Sequence, residues 1–94
     1  MNWIHELLTK CKRGIWPVSA HPHAVMRQGQ RHIDERHMEL VVRRGRIVEH
    51  KCRPPRKLCL EYYDGKTRTT YGAYVVAHET YFEIMTVYKK RGRR

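Results

Sequence analysis

The chain has 94 residues, and its 20 lysines and arginines against 9 aspartates and glutamates give a formal net charge of +11. A chain of this length forms one domain with a thin core, because only about 60 to 65% of its surface can be buried on folding. The longest apolar run, YGAYVVA (71–77), is too short to cross a bilayer, and MNWIHELLTKCKRG at the start lacks the apolar segment of a secretory signal. These features exclude a membrane-spanning protein and predict a soluble, cytoplasmic one.

The first predicted element is a helix over residues 2–12. Its apolar residues recur at helical spacing and form one stripe, which consists of Trp3, Ile4, Leu7, Leu8 and Cys11. Gly14 ends this helix. The stripe either covers the sheet of the same chain or docks on another protein, and the sequence leaves both interpretations open.

Two more helices are predicted next. Pro22 suits the first turn of a short helix near residues 22–28, and Gly29 suits its end. Asp34 is a good N-cap for a third helix, which Gly45 closes. The buried stripe of this third helix consists of Met38, Val41 and Val42.

The second half of the chain has the pattern of strands. Asp64-Gly65 is a hairpin signal, and Gly72 suggests a bulge. The predicted strands cover 47–51, 57–63, 67–77 and 81–88. Helices followed by an antiparallel meander indicate one α+β domain over residues 1–88, of which 1–20 are an additional helix and connection. The basic tail KKRGRR (89–94) has no apolar anchor and is predicted to be mobile.

Three cysteines, an odd number without a CxxC spacing, indicate reduced thiols rather than a disulfide framework, although a pair between Cys52 and Cys59 stays open. A zinc site would need two pairs of closely spaced ligands. The separation of Cys52 and Cys59 is wrong for a zinc knuckle that faces His21 and His23. We therefore expect neither a metal nor another cofactor.

The charge predicts a polyanionic partner, with RNA as the first choice and an acidic protein as another. An anionic membrane is disfavoured, because no long amphipathic helix presents the cations. The strand tyrosines either stack on RNA bases or pack across strands. The cations expected to contact RNA are Arg31, Arg43, Arg44, Arg46, Lys57, Lys89, Lys90 and Arg91.

Acid/base chemistry on RNA could be carried by His23 and Arg27. They are four residues apart, so on a helix they project from the same face and could touch one phosphate. Histidine transfers protons near neutral pH, and arginine clamps phosphate oxygens. The alternative is that His23 packs at the helix start and Arg27 is solvated. Glu61 and Glu83, on predicted strands, are weaker candidates for a base.

Three segments resemble, in order, the family known as domain of unknown function 4258. HAVMRQGQRHID (23–34) is similar to the pattern His-Ala-x-x-Arg-x-x-x-Arg-x-Ile-(Ser, Thr or Asp). VVRRGRIVE (41–49) is similar to that family's helix end, glycine and first strand, and IMTVY (84–88) to its closing strand. The resemblance covers residues 20 to 88, so the first helix and the basic tail lie outside it.

The resemblance implies a small RelE/barnase-like fold akin to RelE-like and BrnT-like toxins, with helices on a curved antiparallel sheet and a cleft that handles RNA. Proteins of that group are metal-independent endoribonucleases or their relatives, often neutralised by a partner antitoxin. Carried over, it implies that His23 is catalytic, that Arg27 and Arg31 bind the scissile phosphate, and that Thr86 and Tyr88 face them from the last strand. The leading hypothesis is a toxin-type endoribonuclease. A non-catalytic RNA- or ribosome-binding module and a protein-interaction domain are the alternatives.

Overall fold

The computed structural model describes residues 2–92, which form an α+β fold with one mixed sheet of five strands. The helices are α1 (Trp3–Lys10), α2 (Pro22–Gln30) and α3 (Glu35–Arg44). The strands are β1 (Val18–Ala20), β2 (Arg46–Ile47), β3 (Lys57–Asp64), β4 (Thr69–Ala77) and β5 (Phe82–Arg91). Their order in the sheet is β1-β5-β4-β3-β2. No helix among the described residues is long and apolar enough to span a bilayer.

The helix boundaries follow the capping residues. The Asp34 carboxylate accepts the backbone N–H of His37 at 2.7 Å, and the N–H of Gly45 bonds to the carbonyl of Val41, which confirms the predicted start and end of α3. The predicted end of α2 at Gly29 is wrong. A glycine inside a helix costs only about 1 kcal/mol, so the helix continues through it to Gln30.

The strands differ from the prediction in three places. Residues 47–51 do not form one strand, because β2 ends at Ile47 and a 3-10 turn follows over Glu49–Lys51. The short strand β1, which was not predicted, pairs in parallel with the start of β5. Lys89, Lys90 and Arg91 belong to β5 and pair with β4, so they are not part of a free tail. Arg93 and Arg94, the last residues of that predicted tail, lie outside the described residues.

The β3–β4 hairpin forms as predicted, and its turn covers residues 65–68 with Arg68 at a φ of 53°. The bulge that was predicted at Gly72 lies elsewhere in β4. The register of β4 and β5 shifts between Tyr74 and Val75 rather than at Gly72. Gly72 is instead opposite Tyr88 in regular pairing.

Side chains alternate between two faces of the sheet. The helices α2 and α3 pack on one, which we call the helical face, and its buried residues include Leu58, Leu60, Ala73, Val75 and Val87. The opposite face, which we call the second face, carries Cys59, Glu61, Thr70, Tyr74 and Tyr88. Ile4 and Leu7 of α1 and Cys11 directly after it are buried in the same core, so the apolar stripe of this segment packs within the chain.

Two arginines join the segment after α1 to the end of α3. Arg13 donates to the carbonyls of Val42 at 2.9 Å and Gly45 at 2.6 Å. In return, Arg43 donates to the carbonyls of Arg13 and Trp16. The last carbonyls of a helix lack partners within it, so these contacts stabilise the end of α3 and fix the connection that precedes β1.

Candidate nucleic-acid interface

His23 and Arg27 touch each other on α2. The Nε of Arg27 donates to the Nε2 of His23 over 3.4 Å, a long hydrogen bond between two half-buried side chains. This arrangement places an imidazole, a group able to accept a proton, beside a permanent cation. The backbone N–H of His23 bonds to His21, which caps the helix. The predicted pairing of His23 with Arg27 on one face is therefore present.

The surroundings of this pair are basic. Arg31 follows Arg27 by one turn, is exposed, and has no side-chain partner among residues 2–92. Lys89 reaches from β5 to the carbonyl of His32 at 3.3 Å, which places a further cation beside the end of α2. This edge of the molecule can therefore hold an anion near His23.

Thr86 and Tyr88 do not face the pair. Val87 between them is 2% exposed and belongs to the core on the helical face, so the alternation of β5 sends both neighbours to the second face. Among the described residues, no hydrogen bond joins either side chain to His23 or Arg27. The structure thus separates the sequence-predicted site into two parts on opposite sides of the sheet.

The second face contains a buried carboxylate surrounded by basic and phenolic groups. One oxygen of Glu61, Oε2, accepts from the hydroxyl of Tyr88 and lies 3.2 Å from the Nζ of Lys90. The other oxygen, Oε1, lies 3.5 Å from a guanidinium nitrogen of Arg46. Lys51 adds a cation 5.3 Å from the centre of the Tyr88 ring. We call Arg46, Glu61, Tyr88 and Lys90 the Glu61 cluster.

The sheet register assembles this cluster. Arg46, Glu61, Gly72 and Tyr88 are successive partners across β2, β3, β4 and β5. A Cβ on Gly72 would lie 2.2 Å from the Cζ of Tyr88, so the tyrosine ring occupies space that only a glycine leaves free. Gly72 therefore allows the ring to lie flat over β4 and reach Glu61.

The contacts within the cluster shift the pKa values of Glu61 and Tyr88 in opposite directions. Burial raises the pKa of Glu61, but hydrogen bonds from Tyr88 and Lys90 outweigh it and hold the pKa below its ordinary value of 4.5. Burial, together with the hydrogen bonds to Glu61 and Cys59, raises the pKa of Tyr88 far above its ordinary value. At neutral pH, Glu61 is therefore an anion and Tyr88 a fixed hydrogen-bond donor. Neither the buried carboxylate nor the engaged hydroxyl is free to act on a substrate.

A second charged group lies on the helical face. His37 bonds through Nδ1 to Asp34 and through Nε2 to Asp64, both at 2.7 Å, and its ring stacks on Tyr71 at 4.0 Å. Burial lowers the pKa of His37, but the hydrogen bonds to Asp64 and Asp34 outweigh it and hold the pKa above its ordinary value of 6.5. We call Asp34, His37 and Asp64 the His37 clamp, which joins α3 to the β3–β4 hairpin.

The other predicted RNA contacts have different roles. Arg43 is occupied by carbonyls of the segment before β1 and by Glu39 at 3.5 Å, so it is a structural residue. Lys57 is exposed at the first residue of β3. Arg44 lies beside Arg46 in a groove of about 210 Å³ on the second face. Arg91 lines a neighbouring groove, which the last three residues of β5 share with Thr67 and Thr69.

The cysteines are buried and unpaired. Cys52 accepts a hydrogen bond from the backbone N–H of Cys59 at 3.3 Å, and the Cys59 thiol lies 3.5 Å from the hydroxyl of Tyr88. Burial raises the pKa values of Cys11 and Cys59, which keeps these thiols protonated. Residues 2–92 contain no group of three or more His, Cys, Asp or Glu side chains able to hold a metal ion.

Sequence reasoning identified Glu61 only as a weak candidate for a base and did not identify Lys51. A signal for Glu61 was present, because an acid in the strand KLCLEYYD interrupts an otherwise buried run. Its partners could not be found, since they come from three other parts of the chain. Comparison of the chain with protein-family models, curated proteins and solved structures gives no match.

Proposed function

We propose that this protein is a metal-independent endoribonuclease of the toxin type, with a RelE/barnase-like arrangement of helices on one face of the sheet. The observation that carries the proposal is the contact between His23 and Arg27, in which the Nε of Arg27 lies 3.4 Å from the Nε2 of His23. The charge of +11 supports a polyanionic substrate.

In this mechanism, the Nε2 of His23 takes the proton from a ribose 2′-hydroxyl. The 2′-oxygen attacks the adjacent phosphorus, and the bond to the 5′-oxygen breaks. Arg27 turns from His23 to the phosphate and, with Arg31, stabilises the charge that develops on its oxygens. The leaving 5′-oxygen takes a proton from water, and the proton that His23 then releases neutralises the hydroxide that is left. The products are a 2′,3′-cyclic phosphate and a free 5′-hydroxyl.

The test is incubation of the purified protein with end-labelled RNA in excess EDTA. Since general-base catalysis contributes about 10²- to 10⁴-fold, His23→Ala should reduce the cleavage rate by about that factor, and Arg27→Ala should also reduce it strongly. His5→Ala changes an exposed helix histidine and is the control, for which the wild-type rate is expected. Equal cleavage by His23→Ala would contradict the proposal.

A non-catalytic RNA- or ribosome-binding module is the second candidate. One observation favours it: among residues 2–92, no side chain other than Arg27 hydrogen-bonds to the His23 ring, so the pair has no second acid or base beside it. This candidate predicts RNA binding without EDTA-resistant cleavage.

The net charge also supports an acidic protein partner, as expected of an antitoxin. Such a partner would compete with RNA for the basic surface. Addition of the partner to a preformed RNA complex should release the RNA, and a stable ternary complex would contradict competition.

A further inference from the structure

The Glu61 cluster has more positive than negative charge. Glu61 is its one anion, Arg46 and Lys90 are its two cations, and Lys51 is a third cation beside it, over the Tyr88 ring. A simple structural ion pair would cancel its charge, whereas this arrangement keeps a surplus of two positive charges. The surplus is available to a ligand with negative charge.

The cations are exposed although their anion is buried. The side chain of Glu61 is 2% exposed, whereas those of Arg46 and Lys90 are 68% and 37% exposed. The carboxylate therefore lies beneath two flexible cations and restricts their motion. Side chains held in place before binding lose less conformational entropy when a ligand arrives.

Two grooves meet at the cluster. The first, of about 210 Å³, is lined by Arg44, Arg46 and Glu61 with neighbouring tyrosines and a threonine. The second, of about 370 Å³, is lined by Lys90 and Arg91 with Lys89 and two threonines. Lys90 lines the second groove and contacts Glu61 of the first at 3.2 Å, so the grooves are neighbours. Cations and hydroxyls along one path are the groups that contact a nucleic-acid backbone.

We propose that the two grooves form one binding path for the backbone phosphates of RNA, in which Arg46 and Lys90 bind phosphates and Glu61 is their positioning residue. This inference rests on the proposed function, since it concerns the same substrate. It adds a second contact region, which begins on the second face at Arg46 and Lys90 and extends along the end of the sheet to Lys89 and Arg91. The RNA therefore reaches around the molecule from the cleavage site to the second face.

The first experiment measures binding of a fluorescent 2′-O-methyl decauridylate, which has the phosphates of RNA but no 2′-hydroxyl to attack. Binding is recorded over a series of salt concentrations for the wild type, Arg46→Gln, Lys90→Gln and the double variant. Removing one cation that neutralises a phosphate should reduce the slope of log K against log salt by about 0.7, and the double variant should reduce it by about 1.4. Lys10→Gln, at an exposed position of α1, is the control and should keep the wild-type slope.

Unchanged slopes for both Arg46→Gln and Lys90→Gln overturn this inference and leave the cleavage mechanism intact. Absence of binding by the wild type overturns the inference and the proposed function together. Reduced slopes combined with cleavage that does not depend on His23 support the binding path and contradict the cleavage mechanism alone. These outcomes therefore distinguish a failure of the binding path from a failure of the cleavage mechanism.

The second experiment tests Glu61 with Glu61→Gln, which removes the charge but keeps an acceptor for Tyr88. If Glu61 only offset positive charge, its removal would tighten binding of the oligonucleotide. If it positions the cations, affinity at fixed salt should fall about threefold to tenfold while the salt slope stays the same, because the number of cations is unchanged. Tighter binding by a folded Glu61→Gln protein overturns the positioning role.

Discussion

The two charged groups of the sheet have opposite arrangements of charge. In the His37 clamp, one imidazole lies between two carboxylates, each at 2.7 Å. In the Glu61 cluster, one carboxylate lies between an arginine at 3.5 Å and a lysine at 3.2 Å and accepts from a tyrosine. The clamp joins α3 to a hairpin, and the cluster joins β2, β3 and β5. Three acids of this basic chain, Asp34, Glu61 and Asp64, therefore fix tertiary contacts through two opposite arrangements of charge.

The two groups also respond to pH in opposite directions. The pKa of His37 is raised in the folded state, so its contribution to stability is complete below its unfolded pKa near 6.5 and is lost as pH rises through the folded pKa. The pKa of Glu61 is lowered, so its contribution is complete above its unfolded pKa near 4.5 and is lost as pH falls through the folded pKa. Both groups contribute fully between about pH 5 and 6.5.

The largest expected effect is that of Gly72→Ala, which breaks the Glu61 cluster without removing any of its members. The new Cβ would overlap the Tyr88 ring at 2.2 Å, so the ring must leave β4 and its hydroxyl must leave Glu61. The free energy of unfolding should fall by about 3 kcal/mol, as for other overpacked interiors. Chemical denaturation measures it.

Gly29→Ala is the matched control, because no atom lies within 4 Å of the added methyl group and the position is inside α2. Its stability should rise by about 0.5 to 1 kcal/mol. A loss of stability at both glycines would show that the cost at Gly72 does not come from Tyr88.

Glu61→Ala should have the next largest effect. It leaves the Tyr88 hydroxyl without its acceptor on a largely buried face. A buried hydroxyl without a hydrogen-bond partner lowers the free energy of unfolding by about 2 kcal/mol. Glu61→Gln should cost less than half as much, because an amide oxygen can still accept. Equal losses from the two substitutions would indicate that the charge of Glu61, and not its hydrogen bond to Tyr88, stabilises the fold.

His37→Gln tests the clamp and should lower the free energy of unfolding by about 1 to 2 kcal/mol at pH 6, toward the low end for hydrogen bonds to charged groups because Asp34 is exposed. Because the contribution of a raised pKa is lost as pH rises, the difference between wild type and variant should be smaller at pH 9. Thermal unfolding at the two pH values checks this, with His5→Gln as a control at an exposed position. If the stability difference between wild type and His37→Gln increased with pH, the stabilising role of the His37 clamp would be contradicted.

The smallest expected effect is that of Lys51→Ala, which removes the cation above the Tyr88 ring. A cation at 5.3 Å from the ring centre at a half-buried position contributes about 0.5 to 1 kcal/mol. Denaturation at low and at high salt should show that Lys51→Ala lowers the free energy of unfolding at both, with a smaller loss at high salt. A loss that vanishes in high salt would indicate simple charge attraction to Glu61.

Features set by nearby residues could be predicted from the sequence. The start of α3 at Asp34, the hairpin after Asp64 and the contact of His23 with Arg27 each depend on residues within four positions. Helical spacing and capping chemistry determine such contacts, and both are visible in a single sequence. The α+β class followed from the same local patterns.

Features set by the sheet register could not be predicted. The Glu61 cluster depends on residues between 46 and 90, and the side of the sheet that Tyr88 occupies depends on a register shift in β4 and β5. A displacement of one residue sends every following side chain to the other face. The parallel strand β1 is only three residues long, and it forms because β5 offers an edge with free hydrogen-bonding groups.

The position of β5 bears on how the chain folds during synthesis. It lies between β1 and β4, so α2 and β1 have no strand to pack on until residues 82–91 have left the ribosome. Before that point, β2, β3 and β4 are the strands that can pair with one another. Two early elements, β1 and α2, therefore depend on a late strand, and we expect nascent chains halted before residue 82 to be sensitive to protease throughout α2.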